Sequence, residues 1–97
     1  MMIWMSNVSA DKNSPGWQLH EGEGMRIFPL TVTFAKEMPS KPAVIVSLTH
    51  IDASDDYNLR VQVEVDNATT TGWNGRFVTW GDSQIFGLGA SWIAIAF

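Results

Sequence analysis

The segment Leu59-Arg60-Val61-Gln62-Val63-Glu64-Val65-Asp66 alternates apolar and polar side chains without interruption. A helix gathers residues three and four apart on one face, whereas a strand gathers every second residue. Leu59, Val61, Val63 and Val65 therefore share a dry side, and Arg60, Gln62, Glu64 and Asp66 share a wet one. One dry and one wet face is the pattern of an antiparallel sheet packed against a core on a single side. No apolar stripe of helical period competes with it anywhere in the chain.

Further strands are expected where β-branched and aromatic residues cluster between turn formers. Met25 to Phe34 reads as a strand interrupted by Pro29, which suits an edge or a bulge because proline has no amide to give a neighbour. Ala43 to Thr49 is apolar enough to be central. Arg76 to Trp80 and Ala90 to Phe97 complete the set, with a shorter piece around Trp17 to His20. Asn13 to Gly16, Glu21 to Gly24, Pro39 to Pro42, Asp52 to Tyr57 and Asn67 to Gly72 separate them as turns. Asn74-Gly75 is a hairpin signal in its own right and conflicts with the turn at Asn67 to Gly72. Short strands at this spacing in 97 residues indicate an all-β sandwich, with residues 1–97 forming one domain.

Composition narrows the chemistry. Ten acids against six bases give a net charge of −4, the wrong sign for holding a phosphate backbone, so no nucleic acid partner is expected. There is no cysteine, which removes disulfides, thiolate metal sites and thiol nucleophiles. The apolar opening Met1 to Met5 is too short for a secretory leader, and Trp92 to Phe97 is too short to span a bilayer, so membrane insertion is not expected. The compartment stays open between cytoplasmic and extracellular action.

No arrangement of residues points to catalysis. A Gly-x-Ser-x-Gly elbow is absent, and the two histidines, His20 and His50, stand apart from any serine–acid pairing. Glu21 with Glu23, or Asp52 with Asp55 and Asp56, would be candidate carboxylate pairs, but acids in such loops are ordinarily solvated turn formers. Asp52 to Asp56 also lacks the ligand ladder of a calcium loop. No enzyme, metal or cofactor is expected. Five tryptophans in so small a chain are mostly core material, Trp92 above all. Trp80 differs, because it ends a strand and meets the polar run Gly81-Asp82-Ser83, where an indole face suits the C–H patch of a ring while its neighbours bond hydroxyls. Arg60 on the wet face is either a solvated charge or a fork of donors for hydroxyls and carboxylates.

Taken in order, Pro42 to Asp52, Asn58-Leu59-Arg60-Val61, Thr71-Gly72-Trp73, Phe77 to Ser83 and Ser91-Trp92-Ile93-Ala94 resemble the H-type lectin domain, and Gly16-Trp17 and Thr31 to Ala35 extend the likeness over about residues 16–97. The resemblance implies a six-stranded antiparallel β-sandwich. It further implies assembly as a homotrimer or higher oligomer, and metal-independent sugar sites where protomers meet, for galactose or N-acetylgalactosamine-type glycans. It places the turn at Asn67 to Gly72, runs a strand from Trp73 to Trp80, and makes Gly75 a bulge. By position, Arg60 matches the arginine that bonds the sugar and Trp80 the aromatic at the site. Gly81 stands in place of a sugar-contacting histidine, and Phe86 in place of a tyrosine. Glu23 falls near a sugar-binding aspartate, with Glu21 and the intervening Gly22 in the same loop. Because Gly81 and Phe86 lack hydrogen-bonding side chains, the rival expectation is a structural trimerisation or attachment domain that kept the sandwich and lost the sugar.

Overall fold

A computed structural model describes all residues, 1–97. Six strands follow one another along the chain: β1 Met2–Asp11, β2 Arg26–Thr33, β3 Ala43–Ala53, β4 Val61–Thr69, β5 Gly72–Thr79 and β6 Ile85–Ala96. They form two antiparallel three-stranded sheets, ordered β1-β6-β3 and β2-β5-β4. The sheets close on one core containing Trp73, Phe77, Leu88, Ala90, Trp92 and Ala94. Two of these rings, Trp73 and Trp92, meet edge to face at 5.9 Å, a favoured arrangement for aromatic pairs.

The all-β sandwich is as expected, and several local expectations change. β1 is a strand that alternation does not reveal. Its inward residues Met2, Trp4, Val8 and Ala10 pack on the core, but Ile3 and Met5 point out and are exposed. With both faces apolar over its first half, the period-two signal disappears. β6 begins at Ile85, not Ala90, and its Gly87 and Gly89 let Asp11 and Asp52, then His50, crowd a central strand. The centre of each sheet is β6 or β5, so β3 is an edge strand and not a central one. Pro29 does sit on an edge strand, opposite Arg76.

Trp17 to His20 forms no strand, yet Trp17 and Leu19 are buried. The Trp17 indole N–H donates to the Ile85 carbonyl at 2.9 Å, which plugs the segment against the start of β6. Leu59 lies before β4 and is exposed, whereas Val61, Val63 and Val65 pack on the core as the alternation requires. The turn conflict resolves in favour of a hairpin closing after Thr69, with β5 running straight through Asn74-Gly75. The bulge belongs to β4, where Asp66 is the unpaired extra residue between Val65 and Asn67. Gly75 serves another need: a Cβ there would collide with the Glu64 carbonyl oxygen.

Candidate functional site

Three connections gather at one end of the sandwich: Leu19–Met25 before β2, Ser54–Arg60 before β4, and Trp80–Gln84 between β5 and β6. Their organiser is Arg26, a buried arginine that sequence reasoning did not single out. It opens β2 on the same face as Leu30 and Phe34, so alternation puts a guanidinium where the core should be. That was the available signal. A buried cation needs several acceptors, and Arg26 finds them in backbone carbonyls: Glu21 at 2.7 Å, Gly81 at 3.0 Å, Gly24 at 3.1 Å and Leu19 at 3.4 Å. The Gly24 amide also donates to the Gly81 carbonyl at 2.9 Å. The Glu21-to-Gly24 loop is thereby fastened to the turn that carries Gly81.

Arg60 is held from the other side. Its carbonyl accepts from the Thr79 hydroxyl at 2.5 Å, while the Ser83 hydroxyl donates to the Asn58 carbonyl at 2.5 Å. These two bonds pin the backbone on both sides of Leu59. The guanidinium then folds over Gly81: Nη1, Cζ and Nε lie 3.0, 3.1 and 3.2 Å from where a Cβ of that residue would stand. Gly81 has φ +65°, a region that glycine enters freely. Nη1 donates to Asp82 Oδ1 at 2.8 Å and to Ser83 Oγ at 3.4 Å. Nε and Nη2 have no protein partner, and neither is a buried atom; the buried unpaired side-chain atoms are His20 Nδ1 and Trp73 Nε1.

Of the expected site residues, the structure brings Arg60 and Gly81 into contact and ties the Glu21-Gly22-Glu23 loop to them through Arg26. Glu21 and Glu23 both face solvent. Trp80 follows β5 directly and is 40% exposed, unusual for an indole in a chain whose other tryptophans are mostly covered. Phe86 is half-buried at the start of β6 beneath Lys12, whose Nζ sits 5.7 Å from its ring centre. Asp82 and Ser83 read in the sequence only as loop polarity, and their roles in holding Arg60 emerge from the fold. The open concavities of the protomer, about 270–600 Å³, lie elsewhere, and none is lined by Arg60, Trp80 or Gly81. The Arg60 surface is shallow.

The end loops of the sandwich thus carry exposed donors on a backbone pinned by hydrogen bonds. Likeness to known proteins identifies the family. The sequence pattern of the H-type lectin domain matches residues 30–95. A discoidin-1 polypeptide of Dictyostelium discoideum is 34% identical over 79 residues, covering 80% of this chain and 31% of that protein. ATP synthase subunits region ORF 7 of Fuscovulum blasticum is 38% identical over 80 residues, covering 82% of this chain and 70% of that one. Discoidin II of Dictyostelium discoideum superposes with a TM-score of 0.86 at 28% identity, over 99% of this chain and 36% of the discoidin chain. The chain belongs to the H-type lectin domain family. It spans about a third of the length of the discoidins it matches.

Proposed function

We propose that the protein binds galactose or N-acetylgalactosamine-type glycans without metal, at sites completed where two protomers meet. The observation that carries this reading is the Arg60 guanidinium, fixed over Gly81 with two of its nitrogens, Nε and Nη2, unpaired. Arg60 and an acid of the Glu21–Glu23 loop bond ring hydroxyls, while Trp80 and Phe86 of the adjacent protomer supply apolar contact to the ring. The absence of a cavity at Arg60 fits a site that a single copy does not finish.

An exposed apolar surface supports assembly with a second copy. On the outer face of β1-β6-β3, Met5, Ile93 and Ile45 share one cross-strand row, and Ile3, Ile95 and Ala43 share the next. Met5 is 67% exposed and Ile45 64%, so these neighbouring rows form an apolar patch that an isolated protomer leaves wet. Covering it with further copies gives a homotrimer, or a higher oligomer, that presents several sites together. Shallow sites bind weakly one at a time, and linking them raises overall avidity through effective concentration.

The test is a glycan array with the wild type, Arg60→Ala and Trp80→Ala. Each substitution is expected to remove the signal while light scattering reports an unchanged oligomer. Undiminished binding by both variants would defeat the site assignment. A wild-type oligomer that bound no sugar at millimolar concentration would instead favour a purely structural or attachment role.

A further inference from the structure

We infer that Gly81 and Asp82 set the ligand class of the Arg60 site: it accepts a pair of neutral hydroxyls and rejects a carboxylate. The inference rests on the sugar-binding reading above and narrows it. A free guanidinium offers its donors in a rigid fork and grips carboxylates as readily as diols. Here that freedom is removed in two ways.

The first is geometric. The guanidinium lies flat against Gly81 because no Cβ intervenes, and Nη1 is already committed to Asp82 and Ser83. What remains is the Nε–H and Nη2–H edge, two nearly parallel donors suited to two neighbouring oxygens on one ligand. Any side chain at position 81 would meet the guanidinium itself, so glycine is what allows Arg60 to occupy this place.

The second is electrostatic. Asp82 Oδ1 sits 2.8 Å from Nη1 and cancels the arginine charge at contact range. The Asp82 side chain is 52% exposed. Its Oδ2 atom makes no protein hydrogen bond, leaving an acceptor beside the donor edge. Glu21 and Glu23 project from the loop fastened to the Gly81 carbonyl and outnumber the one further cation there, the buried Arg26 beneath the loop. An incoming carboxylate therefore meets a neutralised arginine among acids. A sugar diol can accept from Nε and Nη2 and donate to Asp82. Asp82 is thus both a positioning residue for Arg60 and an acceptor for the ligand.

Galactose and galacturonate, which differ only at carbon 6, are the probes, each coupled to a biosensor surface. Wild type is expected to favour galactose. Asp82→Asn keeps an oxygen acceptor for Nη1 but removes the charge and turns the free Oδ2 acceptor into an amide donor; it should weaken galactose binding and raise the galacturonate-to-galactose ratio roughly threefold to fivefold, the scale of one exposed charge contact. That gain should shrink in 0.5 M salt, where the Debye length falls to about 4 Å. Asp82→Ala loses the positioning as well and should weaken galactose binding further than Asp82→Asn, which keeps the Nη1 contact. An unchanged ratio in Asp82→Asn, or wild-type galactose binding by Asp82→Ala, overturns the inference. If wild type binds neither sugar, the lectin reading itself has failed, and phenylglyoxal modification of Arg60, followed by peptide mass spectrometry, decides the positioning role. Faster modification in Asp82→Ala than in wild type supports it, and equal rates overturn it.

Discussion

Arg26→Met tests whether one buried guanidinium holds the site end of the sandwich together. Methionine fills similar apolar volume but gives no hydrogen bond, so the four carbonyls now receiving Arg26 lose that partner. The loss is uneven. Leu19 O still accepts from the Ile85 amide and Gly81 O from the Gly24 amide, whereas Glu21 O and Gly24 O keep no other protein donor. Hydrogen bonds to a charged group contribute about 1.5–3 kcal/mol each. Counting the two orphaned carbonyls at the low end, because water reaches this loop, gives a destabilisation of about 3 kcal/mol. For a domain of this size each kcal/mol moves the midpoint by roughly 4–8 °C, so Tm should fall by about 12–24 °C. Differential scanning calorimetry at fixed protein concentration is the assay, since assembly makes Tm concentration-dependent. Arg26→Lys should recover little, because one ammonium on a flexible stem does not reproduce a planar fork shared among four acceptors. Glycan binding should fail in Arg26→Met even well below its Tm, as the Glu21–Gly24 loop comes loose from Gly81. A Tm within about 4 °C of wild type would refute the assignment of Arg26 as the clamp.

Two other perturbations separate backbone crowding and assembly from the sugar site. Gly75→Ala should destabilise by more than about 3 kcal/mol, since the new methyl overlaps the Glu64 carbonyl of the paired strand and no side-chain rotation relieves it. Gly16→Ala, with φ +84° but nothing near its Cβ position, should cost only about 1 kcal/mol; urea titration of both variants checks the contrast. Ile45→Glu places a charge in the middle of the apolar rows on β1-β6-β3 and should reduce the oligomer to a folded monomer in sedimentation velocity, and an unchanged assembly would move the interface elsewhere.

Much of the sandwich could be read from pattern alone because a strand with one wet face writes its burial into alternate residues, as β4 does at Val61, Val63 and Val65. The strands that escaped or were misplaced are those whose outer face is not simply wet. β1 carries Ile3 and Met5 outward, and β6 is flanked by a strand on each side and uses Gly87 and Gly89 where neighbours crowd it. The site followed the same logic. Arg60, Gly81 and the Glu21–Glu23 loop were reached through family resemblance, and alternation already placed Arg60 on the wet side. Arg26 was legible only as a charge on the wrong face of β2, and the commitment of Nη1 to Asp82 was not legible at all, since it depends on a turn at Gly81 that folds the guanidinium back.

The division of labour between the two arginines explains how so small a core supports the binding surface proposed on its loops. A shallow site buries little of its ligand, so loop ordering that must be done at the moment of binding consumes much of the affinity available. In this chain the ordering is already complete: Arg26 spans two loops from beneath, Thr79 and Ser83 fix the backbone beside Arg60, and Asp82 fixes its side chain. The Nε and Nη2 donors of Arg60 are left free for the proposed ligand. Within that support Arg26 opens β2, Thr79 ends β5 and Arg60 directly precedes β4, three strands that the aromatic core holds in register. A core substitution such as Phe77→Ala would therefore weaken sugar binding without touching any residue at the site, through looser strand ends rather than lost contacts.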